Sequence, residues 1–201
     1  MDKRLLILGN GGHAISCREV IDSTEEFNFA GFISKNLQND KDIIGVDSDL
    51  EMLFESIKFA CIGIGQIKSN SQRIASFNKL KQIGYTFPVI IASTAYVSSS
   101  AEINEGTIVM HKAFINSQSK IGINSIVNTG AIVEHGASVG NHCHIATKAI
   151  INGDATIGDN SFVGSGATIL QGVNIGKNSI IGAGVIVKKN TEENSLIKWR
   201  Q

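Results

Sequence analysis

From Val97 to Val187 every sixth residue is a β-branched aliphatic, Val or Ile at all sixteen positions of that step. Two residues before each stands a second column that is almost uniformly small. It runs Ala95, Ala101, Thr107, Ala113, Ser119, Ser125, Ala131, Ala137, Cys143 and onward to Val185. Residues two apart on a strand share a face, so a large and a small side chain point inward together. The chain must then turn, and Gly, Asn and Asp suit that turn because they tolerate positive φ. Strand and turn repeated every six residues build a triangular prism with three short strands and eighteen residues per coil. Residues 95–187 make about five coils, stacked as parallel strands ~4.8 Å apart. A β-sandwich is the alternative for many short strands, but its loops vary in length and would break the step of six. The expected fold is a left-handed parallel β-helix of hexapeptide repeats.

The residue before each core aliphatic points outward, and a step of eighteen sorts these into three faces. One carries Ile108, Ile126, His144, Phe162 and Ile180; the second carries Tyr96, Phe114, Ile132, Ile150, Thr168 and Ile186. The third carries Glu102, Lys120, Ser138, Thr156 and Asn174. Two faces are apolar and one is polar, and a monomer rarely exposes apolar stripes of that size. Three parallel prisms around a threefold axis would bury two faces of each, so a homotrimer is expected.

Ahead of the repeat, Arg4–Leu8 reads as a buried parallel strand running into Gly9, Asn10, Gly11, Gly12, His13 and Ala14. A helical pattern follows with Ile15, Val20 and Ile21 on one side. Phe29–Ile33 and Phe59–Ile64 read as further strands, and Ser69–Ile83 as a helix. This is an α/β Rossmann-like half domain ending near Pro88. The expected divisions are a nucleotide-sugar-binding domain at 1–88, the β-helix at 89–190 and a tail at 191–201. The loop matches G-x-G-x-x-A, in which glycines let the backbone approach a diphosphate at a helix N-terminus. An NAD site also wants an acidic residue after the second strand, where Ser34, Lys35 and Asn36 stand. A nucleotide diphosphate therefore fits better than NAD, with His13 first to touch it; a purely structural turn is the alternative.

Composition narrows the partners. Lys+Arg and Asp+Glu are equal at 18 each, so no basic excess points to nucleic acid. The apolar run Leu5–Leu8 is too short for a signal peptide, and no stretch approaches the ~18 apolar residues of a membrane span. Cys17, Cys61 and Cys143 are far apart, odd in number and without metal-ligand spacing, which suits free thiols in a reducing cytoplasm.

Of the histidines in the repeat, two stand out. His135 lies two residues past core Val133, at a corner, with Glu134 beside it. His144 lies on an apolar outer face between Ile126 and Phe162. The two are nine residues apart, half a coil, and so lie on opposite sides of one prism. If both serve one site, they come from different subunits.

The combination of Gly9-Asn10-Gly11-Gly12-His13 with Asn128-Thr129, Glu134-His135, His142-Cys143-His144-Ile145, Asn152-Gly153 and Ser165-Gly166 resembles a known family. It is that of bacterial sialic acid O-acetyltransferases and nucleotide-linked amino-sugar N-acetyltransferases. The resemblance covers nearly the whole chain. It implies acetyl-CoA as co-substrate, no metal, and a trimer with the coenzyme in the groove between prisms. His135 is then the catalytic base and Asn128 helps shape the site. His144, Gly153, Ser165, Gly166 and Ala183 lie along the coenzyme, and Gly9, Asn10, Gly11, Gly12 and His13 hold the nucleotide sugar. Members make acetylated sugars for surface glycans, glycoproteins and capsules.

Two departures from the family pattern stand in the sequence. Amino-sugar enzymes of the family often carry Asp or Glu directly after the catalytic histidine, where this chain has Gly136; Glu134 is then the nearby carboxylate. The usual Gly-x-Pro-Ala-Lys-like ending is missing from 191–201, and Trp199 is the candidate to cover part of the groove instead.

The implied chemistry is acetyl transfer to the amine of a nucleotide-linked (UDP, dTDP or GDP) 4-amino-deoxy sugar. A free His has a pKa of ~6.5, so a neutral imidazole can accept the proton as the amine attacks the thioester. A backbone N–H or His144 would hold the tetrahedral oxygen. The alternatives are O-acetylation of sialic acid or its activated form, towards which Gly136 leans, and a non-catalytic sugar-nucleotide-binding scaffold.

Overall fold

A computed structural model of the protein describes residues 3–36, 40–67 and 69–198. The chain divides into two compact units, Met1–Ser93 and Thr94–Gln201.

The first unit is built on a parallel sheet. Its strands are β1 (Arg4–Leu8), β2 (Asn28–Ser34), β3 (Ile43–Val46) and β4 (Phe59–Ile62), in the order β3-β2-β1-β4. Its helices are α1 (Gly12–Asp22), α2 (Leu50–Phe54) and α3 (Ser71–Ile83). Leu5, Leu6 and Ile7 are wholly buried, as expected of a central strand covered on both faces. α1 buries Ala14, Cys17, Val20 and Ile21. Ile15, expected on that buried side, is instead 54% exposed, because the spacing of three and four phases the stripe on Ala14 rather than on its neighbour. β3 and α2 were not legible in the sequence: four and five residues carry too little periodicity to be read.

The second unit is the prism. From Tyr96 to Val187 every strand is two residues long and pairs in parallel with the strand eighteen residues away, as in Ile126 with His144, Ile132 with Ile150 and Ser138 with Thr156. The three sheets are the three faces. The chain is therefore a left-handed parallel β-helix preceded by a small α/β unit. The prism continues beyond Val187: Thr191 bridges Ile175, and Leu196–Ile197 pairs with Ile180–Ile181. That last step is sixteen residues rather than eighteen, which is why a strict period of six misses it.

Inside, the core aliphatics from Val109 to Val187 are nearly all without accessible surface. Along one corner the small column forms a hydrogen-bonded spine. Thr107 Oγ1, Ser125 Oγ, Cys143 Sγ and Ser161 Oγ donate to the carbonyls of Gly122, Gly140, Gly158 and Gly176 at 2.6, 3.0, 3.2 and 3.2 Å. The same atoms of Thr107 and Ser125 accept the amides of Ser125 and Cys143, both at 3.0 Å. Buried hydroxyls are thus fully used, and Cys143 stands as one rung among them.

Outside, Glu102, Lys120, Thr156 and Asn174 are exposed on the polar face. On the face of Ile132 the apolar row stays open at its ends, with Tyr96 and Ile186 each 55% exposed. On the face of His144, Ile108 and Ile126 are already buried in the single chain, so the open apolar surface there is smaller than the spacing implied.

Candidate functional site

The first unit holds a cleft of about 550 Å³ at the carboxyl ends of β1, β2 and β4. The chain steps from β1 outward to β2 and β3 and then crosses back to β4 on the other side of β1, so the strand order reverses beside β1, at the switch point where open parallel sheets bind ligands. Gly9 has φ +107, a conformation that favours glycine, and turns the chain from β1 into α1. Gly11 is the N-cap of α1; no side chain caps the helix and no acidic residue lies in its first turn, which leaves a positive end at the cleft. Ala14 fills the third position of the fingerprint, and a Cβ on Gly63 would approach its Cβ to 2.7 Å. Small residues at both positions let α1 pack onto the sheet. All five sequence-predicted residues Gly9, Asn10, Gly11, Gly12 and His13 line the cleft, joined by Ser34, Lys35, Asn36 and Asp47.

Beneath the cleft lies a residue the sequence reading missed. Arg73 of α3 is 1% exposed, and its Nη1 donates to the carbonyls of Ile62 at 2.6 Å and Ile64 at 3.0 Å. It fixes the loop after β4 that forms one wall, and burial lowers its pKa. The signal was an arginine on the apolar stripe Arg73, Phe77, Leu80. Cys17 and Cys61, distant in sequence, meet here. The hydrogen bond to Cys61 and burial hold the Cys17 thiol well above its ordinary range, and His13 Nε2 lies 3.5 Å from Cys17 Sγ.

In the second unit His135 occupies the turn between the Ile132 face and the polar face, and is exposed. Its ring lies over Gly153, the residue one coil on: a Cβ there would stand 2.6 Å from Cε1 and 2.9 Å from Nε2. Glu134 does not hold the ring. Its Oε2 accepts Asn116 Nδ2 at 2.6 Å, from the preceding coil, and among the described residues His135 makes no side-chain hydrogen bond.

Asn128 and His144 form a separate cluster. Asn128 Oδ1 accepts the Thr129 amide at 2.7 Å, which turns the amide nitrogen towards His144 Nε2 at 3.0 Å. An amide nitrogen only donates, so Nε2 accepts and the ring proton sits on Nδ1. His144 is 7% exposed and packs edge-on to Phe162 at 5.3 Å between ring centres. Thr129, Thr147, Ser165 and Ala183 stack at eighteen-residue intervals along the edge that begins at Asn128. Lys148, Gly166 and Gly184 donate their amides to Thr129, Thr147 and Ser165 at 3.0, 2.9 and 2.8 Å.

One chain therefore brings His135, Glu134 and Gly153 to one edge, and Asn128, His144, Ser165, Gly166 and Ala183 to another edge and its adjoining face. Trp199 lies outside the described residues. Among the described residues no group of three His, Cys, Asp or Glu could hold a metal ion, and no helix is long and apolar enough to cross a membrane.

Residues 4–80 match the family model of the PglD N-terminal domain, and residues 155–189 that of the hexapeptide repeat of succinyl-transferase. No curated protein matches the chain in sequence. Among solved structures, PerB from Caulobacter crescentus, in complex with CoA and GDP-perosamine, is 31% identical with a TM-score of 0.89, over 96% of this chain and 92% of that one. The acetyltransferase domain of PglB from Neisseria gonorrhoeae, in complex with acetyl coenzyme A, is 25% identical with a TM-score of 0.88, over 98% and 96%. WeeI from Acinetobacter baumannii, at 21% identity and a TM-score of 0.79, shares the fold. With a cleft at the carboxyl edge of a parallel sheet in one unit, a hexapeptide prism in the other and likeness along the whole chain, the protein belongs to the nucleotide-sugar acetyltransferase family and is an acetyl-CoA-dependent sugar acetyltransferase.

Proposed function

We propose that the chain transfers acetyl from acetyl-CoA to the amino group of a nucleotide-linked 4-amino-deoxy sugar, with His135 as general base, at a groove between protomers of a homotrimer. The observation that carries this reading is the separation of the two half-sites. His135 stands on one edge of the prism, over Gly153, while His144, Ser165 and Ala183 stand along the next edge and face. A single prism cannot close them around one thioester. Two neighbouring prisms in a threefold ring can, and the open apolar row Tyr96, Phe114, Ile132, Ile150 and Ile186 is a surface such packing would cover.

The relative that binds CoA and GDP-perosamine supports an amino-sugar acceptor, and the uncapped α1 terminus in the cleft suits its diphosphate. In the transfer, the amine nitrogen attacks the thioester carbonyl, the C–N bond forms and the C–S bond breaks. His135 takes the proton from the amine and passes it to the departing sulfur. A backbone amide or His144 holds the developing oxyanion. The product would feed surface-glycan assembly. The three free, buried cysteines fit a reducing cytoplasm.

Gly136, directly after His135, favours a second reading, O-acetylation of sialic acid or its activated form. Free-thiol release from acetyl-CoA, assayed over UDP-, dTDP- and GDP-linked 4-amino sugars and sialic acid, separates the two. Release with a nucleotide amino sugar, lost by ~10²-fold or more in His135→Ala, is expected. Release with sialic acid alone would favour the second reading, and none with any acceptor a binding scaffold. Sedimentation at the mass of a monomer would remove the shared groove.

A further inference from the structure

Where a parallel sheet binds a nucleotide at a helix N-terminus, the second strand commonly ends on a carboxylate, which accepts the ribose 2′-hydroxyl. β2 of this chain ends instead on Ser34, followed by Lys35 and Asn36, and all three line the cleft. Ser34 is 2% exposed, and among the described residues its hydroxyl makes no hydrogen bond. A buried polar group without a partner is rare in a folded chain and calls for an explanation. Here the residue borders the cleft, so a bound molecule can supply the partner.

The surroundings of Ser34 say which part of a nucleotide that is. The Gly9 amide donates to the carbonyl of Ile33 at 2.8 Å, which ties the residue before Ser34 to the turn that opens α1. Ser34 therefore stands beside the uncapped N-terminus of α1, where an anion is favoured. Lys35 adds a positive charge at the same end of β2, and among the described residues it makes no ion pair. The one carboxylate among the described residues that line the cleft is Asp47. It follows β3, two strands from β1, and lies 3.8 Å from Lys79 Nζ. A serine hydroxyl can donate or accept, and its positive neighbours decide the choice in favour of donating to an anion. Resting on the reading of this cleft as the nucleotide site, we propose that Ser34 and Lys35 bind the diphosphate, Ser34 by donating its hydroxyl hydrogen to a phosphate oxygen. The cleft then selects its ligand by that diphosphate and does not read the ribose 2′-hydroxyl. Deoxyribonucleotide-linked and ribonucleotide-linked amino sugars both serve as acceptors.

Calorimetry on the full chain tests this with GDP, dGDP and GMP and with UDP, dUDP and UMP. For whichever base binds, the diphosphate should bind at least roughly tenfold tighter than the monophosphate. The deoxy form should lie within about threefold of the ribo form, since only a site that hydrogen-bonds a hydroxyl rejects the analogue lacking it. Ser34→Ala should weaken both diphosphates by about tenfold, the worth of a hydrogen bond to a charged group. Its urea midpoint should hold or rise, because the free chain loses no hydrogen bond. Lys35→Gln should weaken both by about threefold and lower their salt dependence. Unchanged diphosphate affinity in Ser34→Ala overturns the assignment, as does a loss confined to the ribo form, which would place Ser34 on the ribose. A wild type that rejects the deoxy form overturns it too. A wild type that binds none of the six nucleotides would instead remove the nucleotide reading on which it rests.

Discussion

The imidazole of His135 lies over the backbone of Gly153, so close that a methyl group on Gly153 would stand 2.6 Å from Cε1, 2.9 Å from Nε2 and 3.2 Å from Nδ1. Nothing but hydrogen fits beneath the ring without moving it. Gly153→Ala should therefore leave the prism folded and displace the ring of the proposed base. Turnover should fall by roughly 10²-fold, the size of effect a misplaced catalytic group produces. Measured as thiol release, the loss should not add to that of His135→Ala, because both changes act through one ring. A fully additive pair would mean that Gly153 acts elsewhere.

The pairing of Asn128 with His144 gives a second expectation. Asn128→Leu removes the donor to Nε2 while roughly keeping volume, and a buried ring nitrogen loses that partner. The cost should be about 1–3 kcal/mol in urea unfolding. Loss of the fixed tautomer should also weaken CoA binding, which calorimetry would register. Unchanged stability and affinity would show that the Asn128–His144 contact orders nothing.

How far these sites could be read from sequence depended on which step carried them. The step of six placed the core and the step of eighteen placed His135, His144 and the three faces, because each position in a coil repeats without insertion. The same step, carried from Glu134 back to Asn116 and from His135 on to Gly153, would have shown what surrounds His135. Side-chain direction at a turn is not periodic, however, and that hid Glu134's commitment to Asn116. In the first unit the fingerprint from Gly9 to Ala14 was legible because backbone sterics demand those residues. Arg73 and the meeting of Cys17 with Cys61 were not, since they arise from tertiary packing across α1, β4 and α3.

That packing supplies the third prediction. A Cβ on Gly63 would approach Ile7 Cγ2 to 2.6 Å and the Cβ and Cα of Ala14 to 2.7 and 2.9 Å. Gly63→Ala should push α1 off the sheet and move its N-terminus in the cleft. GDP and UDP affinity, read by calorimetry, should weaken by about 1–2 kcal/mol, while the CoA affinity of the prism holds. Overpacked cores typically lose stability on the same scale. Nucleotide affinity equal to the wild type's would separate the cleft from nucleotide binding.

Cys143 gives the last prediction its sign. Burial pushes its thiol up to about 12, whereas in the unfolded chain it titrates near ~8.5. Between those values the folded prism keeps a proton that the unfolded chain sheds. The group's contribution is therefore complete below the unfolded value and is lost as pH rises towards the folded one, by about 1.4 kcal/mol per unit. By pH 10 the wild type should have lost about 2 kcal/mol on this account. Cys143→Ser keeps a donor for the Gly158 carbonyl among its neighbours Ser125 and Ser161, and has no group that ionises in this range. Its unfolding midpoint should stay close to the wild type's at pH 7.5 and exceed it at pH 10. Tyr85, raised to about 12 by burial, adds an alkaline loss of the same sign in the first unit, common to both proteins. Parallel pH profiles for wild type and Cys143→Ser in urea would show that the thiol is not held protonated by the spine.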